Sequence, residues 1–207
     1  MALIMYLTRA PRYKNTTTDT MRLIEMYLEW QHENRIHSKY SCDTFEEWCG
    51  KPESVLPSKD VIDYYSQFYT IKEVYEEGYG KEKTYSVFEQ LARFVKASQI
   101  FKWFVDNIVD FKIKQHYEIA KEQLENLLNT CIKVKDSFEQ YNGHYIVDKD
   151  VAEALLPVMS IDGIFFGTDS YKSIYAEQII QTIECVNNIL ATTDFTKESI
   201  YFYAFFT

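Results

Sequence analysis

Four residues that could hold a soft metal, His32, His37, Cys42 and Cys49, fall within one short stretch. Imidazole and thiolate are good zinc donors, but structural zinc sites usually preorganise their thiolates in tight loops. The wider gaps here match no familiar site, so the expectation is no metal and no cofactor, with Cys42, Cys49, Cys131 and Cys185 as reduced thiols. Gly78, Gly80 and Lys81 resemble a phosphate loop only briefly. A Walker A loop needs four residues between its glycines and a Ser or Thr after the Lys, and Glu82 stands in that place. Nucleophilic catalysis needs a Ser or Cys presented to a His base, yet no G-x-S-x-G elbow occurs and His116 and His144 are isolated. No pair for acid–base work stands out among the 31 acids. No catalytic residue is assigned, and the chain is expected not to be an enzyme.

One polar pattern does recur. Glu25, Glu29 and Glu33 are four residues apart, so a helix projects them from one face, where like charges cost a few tenths of a kcal/mol per pair, roughly. A solvated face is one reading, and docking to a basic groove on another protein is the sharper one. Glu73, Tyr75, Glu76, Glu77 and Tyr79 add a second acidic, Tyr-rich patch, and the two sets are the expected partner-binding residues.

The elements that must position these residues follow from periodicity and caps. Ala2–Thr8 and Ser199–Phe206 read as strands that join one sheet, because short apolar runs at the termini would otherwise present unpaired backbone. A helix is expected from an N-cap at Asp19 or Thr20 through Ile24, Tyr27 and Leu28 towards Trp30. Thr44 with Glu47 forms a capping box for a short helix near Phe45–Cys49, and Ser58 after Pro57 caps another through Tyr65. The stretch 84–108 lacks Gly and Pro and is apolar on several sides, which predicts a buried central helix. One-sided stripes at Leu124, Leu127, Leu128, Cys131, Ile132 and at Ile179, Ile183, Val186, Leu190 predict two covering helices. Ile161–Phe166 is a candidate inner strand leading to a helix after Asp169 or Ser170. The expected class is α+β: a helix-rich single domain over 1–207 with a long central helix and a small, mainly antiparallel sheet containing both termini.

Composition bounds the partners. The chain has 207 residues, 16% of them aromatic with 17 Tyr, and a formal charge of −9, enough apolar material for a core and enough Tyr for contact surfaces. Charge is uneven: residues 19–82 hold 14 acids against 7 bases, 83–135 hold 9 bases against 6 acids, and 136–207 hold 11 acids against 3 bases. An acidic surface repels phosphate backbones, so direct nucleic-acid binding is not expected. No apolar run is long enough to span a bilayer, and Met1–Leu7 is too short for a signal peptide, so a soluble cytosolic chain is expected.

Several blocks carry a resemblance. Met1–Leu7 (MALIMYL), Lys96–Ile108 (KASQIFKWFVDNI), Tyr117–Leu128 (YEIAKEQLENLL) with Cys131, Ala152–Pro157 (AEALLP) and Gly163–Asp169 (GIFFGTD) resemble, in order, a family of small uncharacterised phage and prophage proteins. Those relatives typically open Met-Gly-Leu-Asp-Met-Tyr-Leu. Where many of them carry Arg, Asn and His, this chain has Val95, Ser98 and Phe101, which removes whatever charge or proton transfer those side chains supply. The resemblance implies a phage or mobile-element protein acting in the bacterial cytoplasm.

Three functions compete. The first is inhibition of a host protein with a basic groove, such as a nucleic-acid-guided defence nuclease, in the manner of an anti-CRISPR protein. The second is a binder or sponge for a nucleotide signal, with aromatic residues stacking a base. The third is a hydrolase without a recognisable motif.

Overall fold

The computed structural model describes residues 3–36, 44–76, 80–159 and 171–206, with backbone alone at 34–36, 53, 72–76 and 80–85. Contacts gather the chain into two compact units, Met1–Arg9 with Gln90–Thr207, and Ala10–Glu89.

The first unit is built on an antiparallel sheet of four strands, in the order β4-β1-β8-β5: β1 (Leu3–Pro11), β4 (Glu89–Val95), β5 (His116–Ile119) and β8 (Glu198–Phe206). The two terminal segments are therefore neighbours at the centre of the sheet, as their apolar runs predict. Consecutive residues Leu3, Ile4, Met5 in β1 and Ser199 to Phe202 in β8 are buried, the pattern of strands covered on both faces. The edge strand β4 alternates instead, with Ala92 and Phe94 buried and Arg93 and Val95 exposed. Pairing of β5 with β8 sets His116 opposite Tyr203 and Ile119 opposite Ile200.

Helices complete this unit: α4 (Ser98–Asn107), α5 (Lys121–Asp136), α6 (Lys149–Leu155) and α7 (Ser173–Thr192). α5 packs along α7, burying Leu124, Leu127 and Cys131 from one and Ile179 and Val186 from the other, as their stripes predict. α4 buries Ile100, Phe101 and Phe104, and Phe104 stacks on Phe202 of the sheet at 3.9 Å between ring centres. A small hairpin, β6 (Glu139–Tyr141) with β7 (His144–Ile146), turns through Asn142 and Gly143, both at positive φ.

The expected helix over 84–108 is not one element. It holds the end of a strand, the edge strand β4 and then α4, and the longest helix of the described residues is α7. Spacings of three and four such as Phe88, Leu91 and Val95 mimic a helix, but Ala92 and Phe94 follow the period of a strand. The break between β4 and α4 falls at Lys96, at φ 57°, where the N–H donates to Leu3 O at 2.9 Å. A lysine in the left-handed region carries no turn signal in the sequence. Ile161–Phe166 lies outside the described residues.

The second unit contains α1 (Thr18–Ile36), α2 (Phe45–Cys49), a 3-10 turn (Glu53–Val55), α3 (Lys59–Ser66) and the hairpin β2 (Thr70–Glu76) with β3 (Gly80–Ser86). α1 begins earlier than expected and runs past Trp30, with Thr17 rather than Asp19 or Thr20 as its cap: the Thr20 N–H donates to Thr17 Oγ1 at 3.2 Å. Met21, Ile24 and Leu28 form its buried face. α2 carries the expected capping box, with the Glu47 N–H on Thr44 Oγ1 at 3.2 Å and the Thr44 N–H on the Glu47 carboxylate at 3.3 Å. Phe45, fully buried, meets Tyr27 and Trp30 edge to face. Ser58 occupies the cap position of α3 without a side-chain cap bond.

Candidate functional site

The stripe on α1 divides on inspection of its contacts. Glu25 turns into the unit and accepts two hydrogen bonds, from Ser86 Oγ at 2.7 Å and from the Val87 N–H at 2.8 Å. Ser86 Oγ in turn accepts from the Phe88 N–H at 2.9 Å, so one carboxylate organises the chain as it leaves β3. Burial is the larger influence and pushes the Glu25 carboxyl above the usual glutamate range, against the opposing pull of its donors and of Arg22. Glu25 is thus committed to the fold and does not present its carboxylate to a partner. Glu29 and Glu33 are half-buried on the same helix, and the Glu29 carboxyl is also raised, first by burial and then by the charge of Glu33.

Glu73, Tyr75 and Glu76 lie on β2, whose register sets Glu73 opposite Lys83, Tyr75 opposite Lys81 and Glu76 opposite Gly80. α1 packs against β3, so this hairpin and the acidic helix belong to one unit. Glu77 and Tyr79 lie outside the described residues.

Beside the stripe, α1 and α3 border an open cavity of about 670 Å³. Tyr27 and Leu28 from α1, Ile62 from α3, Leu56 and Pro57 before it and Tyr69 after it give apolar and aromatic walls. Gln31, His32, Lys59, Asp63 and Ser66 add polar groups of both hydrogen-bonding senses. The volume falls in the range of small-molecule sites, about 300–1,000 Å³, and the lining, with five polar residues among eleven, is more polar than is usual for them. No motif announces this site. Its residues come from two stretches, 27–32 and 56–69, and one-turn spacings such as Tyr27, Gln31 and Ile62, Ser66 place them on common helix faces. Close by, Tyr13 stacks on Tyr64 at 4.1 Å, and Lys14 pairs with Asp60, holding that exposed carboxyl down to about 2.

The other sequence candidates separate. His32 lines the cavity, Cys49 Sγ lies 3.8 Å from Lys51 O, and His37 and Cys42 lie outside the described residues. Among the described residues no group of three or more His, Cys, Asp or Glu could hold a metal ion. His116 stacks on Tyr203 at 4.5 Å between ring centres. Cys131 is fully buried and its thiol is pushed up to about 12, which makes it a core residue rather than a nucleophile. Among the described residues no helix is long and apolar enough to cross a membrane.

No family model, curated protein or solved structure matches this chain.

Proposed function

We propose that the chain is a non-catalytic binding protein of a phage or mobile element, and that the cavity between α1 and α3 captures a small aromatic ligand of nucleotide type. The observation that carries this reading is the cavity itself, about 670 Å³ with Tyr27 and Tyr69 in its lining. Tyr27 and Tyr69 are suited to stacking a base, an interaction worth about 1–3 kcal/mol per base. Asp63 and Gln31 can accept from the N–H edge of a base, and Lys59 supplies local positive charge for a phosphate within a chain of net charge −9. The test is to purify the chain from bacteria, denature it and analyse the released small molecules by mass spectrometry. A stoichiometric nucleotide supports the reading; an empty protein that also fails to bind added nucleotides contradicts it.

A second reading, inhibition of a host protein with a basic groove such as a defence nuclease, draws on the acidic surface. Glu29 and Glu33 form a half-buried like-charge pair that a cationic partner would relieve. An affinity pull-down from host lysate compared with the Glu29→Lys, Glu33→Lys double variant distinguishes it: a stoichiometric partner lost in the variant favours inhibition, and a partner retained equally removes the stripe from the interface.

A further inference from the structure

One edge of the four-stranded sheet can take a further strand. β4 stands at the end of the order β4-β1-β8-β5, and among the described residues β1 is its one strand neighbour. The Lys96 N–H donates to Leu3 O at 2.9 Å, towards β1, and the backbone groups of an antiparallel strand alternate in direction. Phe94, Ala92 and Gln90 therefore face β1, while Val95, Arg93, Leu91 and Glu89 turn their N–H and C=O groups outward. This row is bounded within the chain: Gln178 Nε2 on α7 donates to Val95 O at 3.3 Å, and the Val87 N–H donates to the Glu25 carboxylate at 2.8 Å. Glu89, Leu91 and Arg93 lie between those bounds. No Pro or Lys, the usual means of blunting a sheet edge, interrupts the strand.

The row complements itself. Set antiparallel to a second copy about Leu91, each Leu91 faces the other and each Glu89 faces the other chain's Arg93, in pairs that share two backbone bonds. Side chains follow the same period, so Glu89, Leu91 and Arg93 stand on the face opposite Ala92 and Phe94, where Glu89 and Arg93 are exposed. Opposite charges directly across a strand pair attract. A slip of two residues either way sets a charge against Leu91 and loses both ion pairs, so the charges specify one register. The flank of α7 beside this edge suits the same contact. Gln178 reaches Val95, and Arg9 on β1 donates to Thr192 O at 3.2 Å, so the helix runs along the strands. Gln178, Gln181, Cys185, Asn188 and Thr192 recur on that flank at alternating spacings of three and four, and none carries a charge.

We propose that β4 pairs with β4 of a second copy of this chain about a two-fold axis at Leu91, joining the two four-stranded sheets into one and setting the uncharged flanks of α7 side by side. The same patch serves both subunits, so the contact is closed and assembly stops at the dimer. Backbone pairing across the edge holds the two chains, and Glu89 with Arg93 supplies register and specificity. The interface does not depend on the cavity between α1 and α3.

Sedimentation equilibrium of the purified chain, with circular dichroism as the check on folding, tests the assignment. A monomer–dimer equilibrium with no larger species is expected. Arg93→Glu and Glu89→Arg should each weaken association at least about tenfold, because each sets like charges opposite one another on both sides of the axis. The double variant, Glu89→Arg with Arg93→Glu, restores opposite charges in the same register and should return to within about a few-fold of the parent. Should a single reversal not fold, Leu91→Pro is the second variant: the Leu91 N–H points away from β1, so the strand keeps its ladder, and the chain should be monomeric. A parent that stays monomeric up to about 1 mM overturns the proposal. So does a dimer that the single reversals or Leu91→Pro leave intact, or one that the folded double variant fails to restore.

Discussion

Replacing Glu25 separates a structural carboxylate from a docking one. In Glu25→Ala the Ser86 hydroxyl and the Val87 N–H lose their acceptor in a partly buried position. Each orphaned buried donor costs about 1–3 kcal/mol, while removing the carboxylate also removes its own desolvation cost, so a net loss of about 2 kcal/mol is expected. For a chain of this size that lowers Tm by roughly 4–8 °C. Glu25→Gln retains an acceptor and should stay close to the parent.

The pH dependence has a definite sign. The folded-state pKa of Glu25 is raised above its ordinary 4.5, so the folded chain holds this proton more tightly than the unfolded chain does. Its contribution is fully present below the ordinary value and is lost as pH rises through the folded value. Urea denaturation followed by circular dichroism, from the glutamate range to neutrality, should show that component in the parent and not in Glu25→Gln. A Glu25→Ala protein within about a degree of the parent, alongside a Glu29→Ala protein that falls further, would refute the reasoning.

Other perturbations probe the rest of the fold. Leu127→Ala, at a fully buried position where α5 packs on α7, should cost about 2–5 kcal/mol in denaturant unfolding. Thr44→Ala removes half of the capping box on α2 and should cost about 1 kcal/mol, seen as faster amide exchange at Glu47. A thiol reagent at mildly alkaline pH should modify half-buried Cys49 in the native protein and leave Cys131, with its thiol near 12, unmodified until denaturant is added.

The sequence disclosed those parts of the fold whose signals are local. The capping box at Thr44 and Glu47, the stripes of α5 and α7 and the apolar terminal strands each act through neighbours in the chain or through simple period, and each forms as expected. The stretch 84–108 was illegible because its punctuation is tertiary. Lys96 takes a left-handed conformation held by a bond to Leu3, over ninety positions away, and Glu25 reaches Ser86 and Val87 across 61 and 62 positions. The same applies to the candidate site. A period of four correctly aligned Glu25, Glu29 and Glu33 on a helix, but it could not say that Glu25 would be withdrawn by a strand end. The cavity draws on two stretches, 27–32 and 56–69, a grouping that only the packing of α1 and α3 creates.

Isothermal titration of the chain with each common ribonucleoside monophosphate, run in parallel on Tyr27→Ala, tests the binding claim most directly. One site per chain for at least one nucleotide is predicted, with affinity reduced at least about tenfold in Tyr27→Ala by loss of the stacking wall. Absence of saturable binding across the panel, or binding that Tyr27→Ala leaves intact, would contradict the assignment of the cavity between α1 and α3.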